Sequence, residues 1–155
     1  MVALVMVVGC GAPGASARAQ LSAGVERPVV PRTYTDGGIT LASAGSQVPT
    51  VAATAAYRAC ISGAADCPAG EPTSAELASV TDDQYGQTDA SGTVTHTIQG
   101  RLSWVFTWQD IPCPPRLGPK PPASVVAAPS VCDWIVLVDA RSGENLITYA
   151  GVPAE

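Results

Sequence analysis

The chain is poor in the residues on which most enzyme chemistry runs. Among its 155 residues there is one histidine, His96, and only 14% of the positions are charged. Any Ser-His-Asp arrangement would have to use His96, whose neighbours Val94 and Ile98 set it along a half-buried strand face. Neither a G-x-S-x-G elbow nor an S-x-x-K pair accompanies it. An envelope hydrolase using His96 is therefore the alternative reading, and a structural or surface histidine the favoured one. No C-x-x-C pair occurs, so a zinc site has no obvious ligand set, and neither a metal nor any other cofactor is expected. The eight basic residues are scattered and outnumbered, giving a net charge of −5, which argues against a nucleic-acid partner.

The carboxylates are also badly spaced for catalysis. Asp133 and Asp139 fall six residues apart on one strand, roughly 20 Å by strand rise, too far for a glycosidase pair. Asp139 is better placed to open a turn by accepting backbone N–H groups near Ser142 and Gly143. Asp82, Asp83 and Asp89 lie in a Gly-containing stretch, 82–92, that reads as a solvated loop and matches no EF-hand spacing.

What the chain does have begins at its first residues. Val2 to Val8 form an apolar run followed by Gly9 and Cys10. Val7-Val8-Gly9-Cys10 resembles the lipobox of bacterial lipoprotein signals, in which a small residue directly precedes the cysteine that is lipidated. The run is far too short to span a bilayer as a helix and lacks the basic start of an export signal, so the true start is expected upstream. Residues 1–9 then read as signal peptide and Cys10 as the lipidated residue, anchoring the chain to the outer face of the cell membrane. Gly11 to Gln47 is Gly-, Ala- and Pro-rich and cannot bury enough apolar area to offset the cost of ordering it. The stretch 10–47 therefore reads as a lipid-anchored flexible spacer, with Ile39 to Leu41 able to add a short edge strand.

Beyond Cys10 there remain Cys60, Cys67, Cys113 and Cys132, an even number that reads as disulfides in an exported chain. Three connectivities are possible, and Cys60–Cys67 with Cys113–Cys132 is favoured. The second pair closes the ends of a Pro-rich loop, 111–130, in which seven prolines follow Ile111. A bridge over about twenty residues stabilises by roughly 3 kcal/mol on the chain-entropy model.

Residues 48–155 read as one small domain. Thr50 to Ser62 is the helix candidate: Thr50 can cap it, alanine favours it, and Gly63 stands at its end. Ala53, Ala56, Tyr57, Cys60 and Ile61 fall on one face. Ser74 to Thr81 is read as a strand. Thr93 to Ile98 alternates with period two, and in Arg101 to Trp108 the side chains Leu102, Trp104, Phe106 and Trp108 share one face. Trp134 to Val138 are five consecutive apolar residues, which suits a strand buried on both faces. Arg141-Ser142-Gly143 then interrupts the run before Leu146 to Tyr149 resume it, the pattern of a β-hairpin.

The hairpin W-I-V-L-V-D-A-R-S-G-E-N-L-I, Trp134 to Ile147, resembles the closing hairpin of PepSY-type modules, which end in a strand, an Asp-Ala, a Gly-Glu turn and a last strand. That resemblance implies a small α+β module with an inhibitory or binding role in the envelope. By lipobox and composition the chain also resembles exported lipoproteins of high-GC Gram-positive bacteria. The expectation is an α+β fold: a small antiparallel sheet of three to five strands, one packed helix and two disulfide staples. Its function would be non-catalytic binding or inhibition, with the membrane as one partner through Cys10 and an envelope protein as another.

Overall fold

A computed structural model describes residues 20–34, 37–63, 67–88, 90–113 and 131–152. Cys10, residues 1–9 read as a signal peptide, and the interior of the Pro-rich stretch 111–130 lie outside the described residues. The elements in chain order are β1 (Glu26–Arg27), β2 (Arg32–Tyr34), β3 (Ile39–Ser43), α1 (Ala53–Ser62), β4 (Ser74–Thr88), β5 (Val94–Pro112), β6 (Val131–Asp139) and β7 (Asn145–Gly151). The strands form one sheet in the order β2-β3-β4-β5-β6-β7, antiparallel throughout, with β1 added parallel to the start of β4. The sheet is thus larger than the three to five strands expected, with seven among the described residues.

The extra strands come from the segment read as spacer. Residues 26–43 supply β1, β2 and β3, so a flexible tether does not extend to residue 47. Tyr34, Ile39 and Leu41 from this segment are almost completely buried. The local sequence is short and Pro-broken, with little propensity of its own. It is ordered because it covers a sheet face that is apolar.

That need arises at the centre of the sheet. Successive strand residues point to opposite faces, and β5 and β6 are apolar on both. Leu102, Trp104, Phe106, Trp108, Val136 and Val138 face α1, whereas Val105, Ile135 and Leu137 face the opposite side. Ile135 to Val138 are fully buried, while Trp134 at the strand's start is only half-buried.

On the first face, α1 buries Ala53, Ala56, Tyr57 and Cys60. Its alanines let the helix lie close, and the Tyr57 ring sits 5.7 Å from Phe106 and 6.5 Å from Trp108. Trp104 Nε1 donates to the Val51 carbonyl at 2.7 Å, and Trp108 Nε1 to the Gly70 carbonyl at 3.1 Å. The indole N–H groups thus pin the chain on either side of the helix. Two details differ from the sequence reading. Ala52, not Thr50, is the N-cap residue and makes no side-chain cap bond; the Thr50 N–H donates instead to the Ala140 carbonyl. Ile61 is 43% exposed, because the last turn runs past the edge of the contact.

The second face is covered by the sheet itself. β2 and β3 bring Tyr34, Ile39 and Leu41, and β7 brings Ile147 and Tyr149, over Ala78, Val80, Ile98, Val105, Ile135 and Leu137. Right-handed twist accumulated over several strands allows such a roll. The two edges meet where Tyr34 and Tyr149 pack edge to face, 5.9 Å between ring centroids. Gly37 is required here, since a β-carbon at that position would lie 2.5 Å from the Tyr149 ring. β4 runs on to Thr88, so much of 82–92, read as a loop, is strand. Asp82 is buried opposite Ile98 rather than solvated.

Cys60 is bonded to Cys67 and Cys113 to Cys132, with Cα–Cα distances of 6.0 and 5.0 Å. The second bridge lies where Ile111 pairs with Cys132, just past an irregularity in β5. There Asp110 adopts φ +56°, a left-handed conformation uncommon for a non-glycine residue.

Phe106→Ala, at a fully buried site between helix and sheet, should lower the unfolding free energy by about 3–5 kcal/mol in a urea titration. Trp134→Ala should cost clearly less. Equal losses would mean that Trp134 is buried as deeply as Phe106 on the face they share.

Candidate functional site

Among the described residues, charged side chains line two clefts. The first, of about 210 Å³, opens at the end of the roll where β1 and β2 cross onto β4, and is lined by Arg27, Val30, Arg32, Glu76, Thr107, Gln109 and Asp133. Glu76 follows from strand period: Ser74, Glu76, Ala78 and Val80 alternate onto the inner face, so a carboxylate is carried inward among small and apolar residues. It is 1% exposed. A charge so buried requires partners. Arg32 Nη1 donates to Glu76 Oε2 at 2.7 Å, and Arg27 Nε to Oε1 at 3.2 Å.

Arg32 is the hub of the cluster. Its Nε donates to the Tyr34 hydroxyl at 3.0 Å, and its Nη1 also reaches the Val30 carbonyl. Burial works against its charge, but the hydrogen bonds to Tyr34 and Glu76 outweigh that and hold the guanidinium above its already high ordinary value. The Tyr34 hydroxyl, pushed up by burial although Arg32 opposes it, extends to 3.5 Å from Asp133 Oδ2 on β6. Burial raises the Asp133 carboxyl above its usual range; Arg32 and Tyr34 oppose this, and the charge of Asp110 adds to it. Strands β1, β2, β4 and β6 therefore meet through one chain of charged and polar groups. Removing Arg32 would leave Glu76 short of a partner in the interior, a change that costs about 3–5 kcal/mol for buried pairs.

The second cleft, of about 410 Å³, lies beside the β6–β7 hairpin and is lined by Gln99, Gly100, Arg101, Leu102, Asp139 and Arg141. Asp139 Oδ1 accepts the backbone N–H groups of Arg141 at 2.7 Å and Ser142 at 2.8 Å, and Oδ2 accepts Arg101 Nε. Gly143, at φ +78°, completes the turn. Burial alone would raise the Asp139 carboxyl, but the Ser142 N–H, Arg101 and the Arg141 N–H outweigh it and hold it below the usual carboxylate range.

Of the residues singled out from sequence, Asp139 performs the turn role expected of it, and Asp133 belongs to a different cluster at the opposite end of β6. His96 is paired with Gly86 through the backbone on β5; its side chain lies outside the described residues. Among the described residues no group of three or more His, Cys, Asp or Glu side chains is arranged to hold a metal. Comparison with protein-family models, with curated proteins and with solved structures finds no match to this chain.

The Asp139 contacts make a pH-dependent contribution with a definite sign. A carboxyl held below its unfolded value stabilises the fold above that value, and the contribution is lost as pH falls through the folded one. Asp139→Ala should cost about 1.5–3 kcal/mol at pH 7, and its gap from the wild type should narrow below about pH 4, the unfolded aspartate range. A gap of constant size from pH 7 to pH 2, followed by denaturant melts, would remove the charge from this account.

Proposed function

We propose that this chain is an extracytoplasmic, lipid-anchored, non-catalytic binding or inhibitory module of the cell envelope. The observation that carries the reading is the cysteine pairing. Cys60, Cys67, Cys113 and Cys132 are bonded among themselves, so the fifth cysteine, Cys10, stands apart, directly after Val7-Val8-Gly9. Disulfides persist in oxidising compartments, and a lone cysteine behind an apolar run suits lipid attachment there. A single acyl chain holds a protein at a membrane only weakly, whereas two or more give stable anchoring.

The binding role draws support from the clefts, where charged side chains are engaged in holding strands and turns together rather than in pairing a nucleophile with a base. The likeness of Trp134–Ile147 to PepSY-type closing hairpins leads the same way. We assign the open cleft beside Arg101 and Arg141 as the contact surface, its exposed arginine suited to a carboxylate of a partner.

Cys10→Ala, expressed with a complete export signal, should move the protein from the membrane to the soluble fraction. If it stays with membranes at the wild-type level after a carbonate wash, the anchor reading fails.

A further inference from the structure

The buried carboxylate of Glu76 has a consequence for the chain that leads into the sheet. Residues 25–32 cross the end of the roll with little to hold them as secondary structure. β1 pairs with β4 over two residues, Glu26 with Ala75 and Arg27 with Glu76, supplemented by Ala75 N donating to the Val25 carbonyl. Pro28 and Pro31 have no N–H to donate, and Glu26, Arg27 and Val30 are exposed, Val30 by 64%. Val25 and Val29 are half-buried against the two cores and Arg32 pairs with Leu41, but the one group that grips the segment at two points is Glu76, which takes Arg27 from one end and Arg32 from the other. Two residues later the character changes: Tyr34 is fully buried against Tyr149 and paired with Ile39.

We propose that residues 25–32 form a strap that opens and closes as a unit while the sheet stays folded, with Glu76 as its key and Tyr34 as its fixed end. Segments with few buried apolar contacts and few backbone bonds open at lower free energy than the core around them. A two-residue ladder beside a nineteen-residue strand such as β5 meets that description. When the strap opens, both arginines leave Glu76, and Arg32 also gives up the Tyr34 hydroxyl. The opening uncovers the cleft lined by Thr107, Gln109 and Asp133.

Hydrogen exchange followed by mass spectrometry on the purified soluble chain, read separately for residues 26–33 and 131–139, tests the strap without reference to the anchor. In the wild type the strap amides should exchange at least tenfold faster than those of β6. Glu76→Gln should speed the strap amides a further tenfold or more and leave β6 unchanged. The proposal is overturned if strap and β6 accelerate together in the variant, or if the strap rate does not change. Should Glu76→Gln fail to fold, Arg27→Gln, at a side chain 44% exposed, should give a smaller rise confined to 26–33; no rise, or one shared with β6, overturns it equally.

Discussion

Strands β5 and β6 put large apolar side chains on both faces of the sheet at once, Phe106 and Val136 on one and Val105 and Leu137 on the other. Each face must then be removed from water, at roughly 25 cal/mol for every Å² covered. A single ten-residue helix can cover only one of them. The other is covered by rolling the sheet, which draws β2, β3 and β7 inward and brings Tyr34 against Tyr149. Most of the remaining architecture is a response to that requirement, including the glycine at 37 and the ordering of a Pro-broken N-terminal segment.

Rolling brings a second requirement. At the end of the roll the inner face turns polar, and Glu76, Thr107 and Asp133 are carried in by the same alternation that carries Val105 and Ile135. The N-terminal strands supply the countercharge through Arg27 and Arg32. These arginines are therefore tied to the presence of the carboxylate and the carboxylate to theirs, which makes the cluster specific as well as adhesive. The hairpin cluster at Asp139 works on a smaller scale: one carboxylate satisfies two turn amides and an arginine.

The central strands were legible because their signal is local. Leu102, Trp104, Phe106 and Trp108 alternate without interruption, the Trp134–Val138 run is continuous, and four cysteines bracket a helix end and a loop. Ile39 to Leu41 reads as a short edge strand and becomes part of β3, but β1 and β2 do not show in the sequence, because they contain five residues in all and draw their order from a face made some forty to a hundred residues later, by strands β4 to β6. The Glu76 cluster was hidden for the same reason. Arg27, Arg32 and Tyr34 lay in a segment that looked like tether, and only the glutamate's place in the series Ser74, Glu76, Ala78, Val80 hinted that a charge was being carried inward. Thr50 has a cap-favouring side chain, but its backbone N–H is committed to the Ala140 carbonyl, and the helix begins after Ala52.

The bridge between Cys113 and Cys132 also bears on how the molecule withstands proteases. It joins the last residues of β5 to the first of β6, and these strands are paired along their length. A nick anywhere between the two cysteines would yield a two-chain form whose halves remain covalently linked and in register. A protease cutting there would sever the chain without separating its parts.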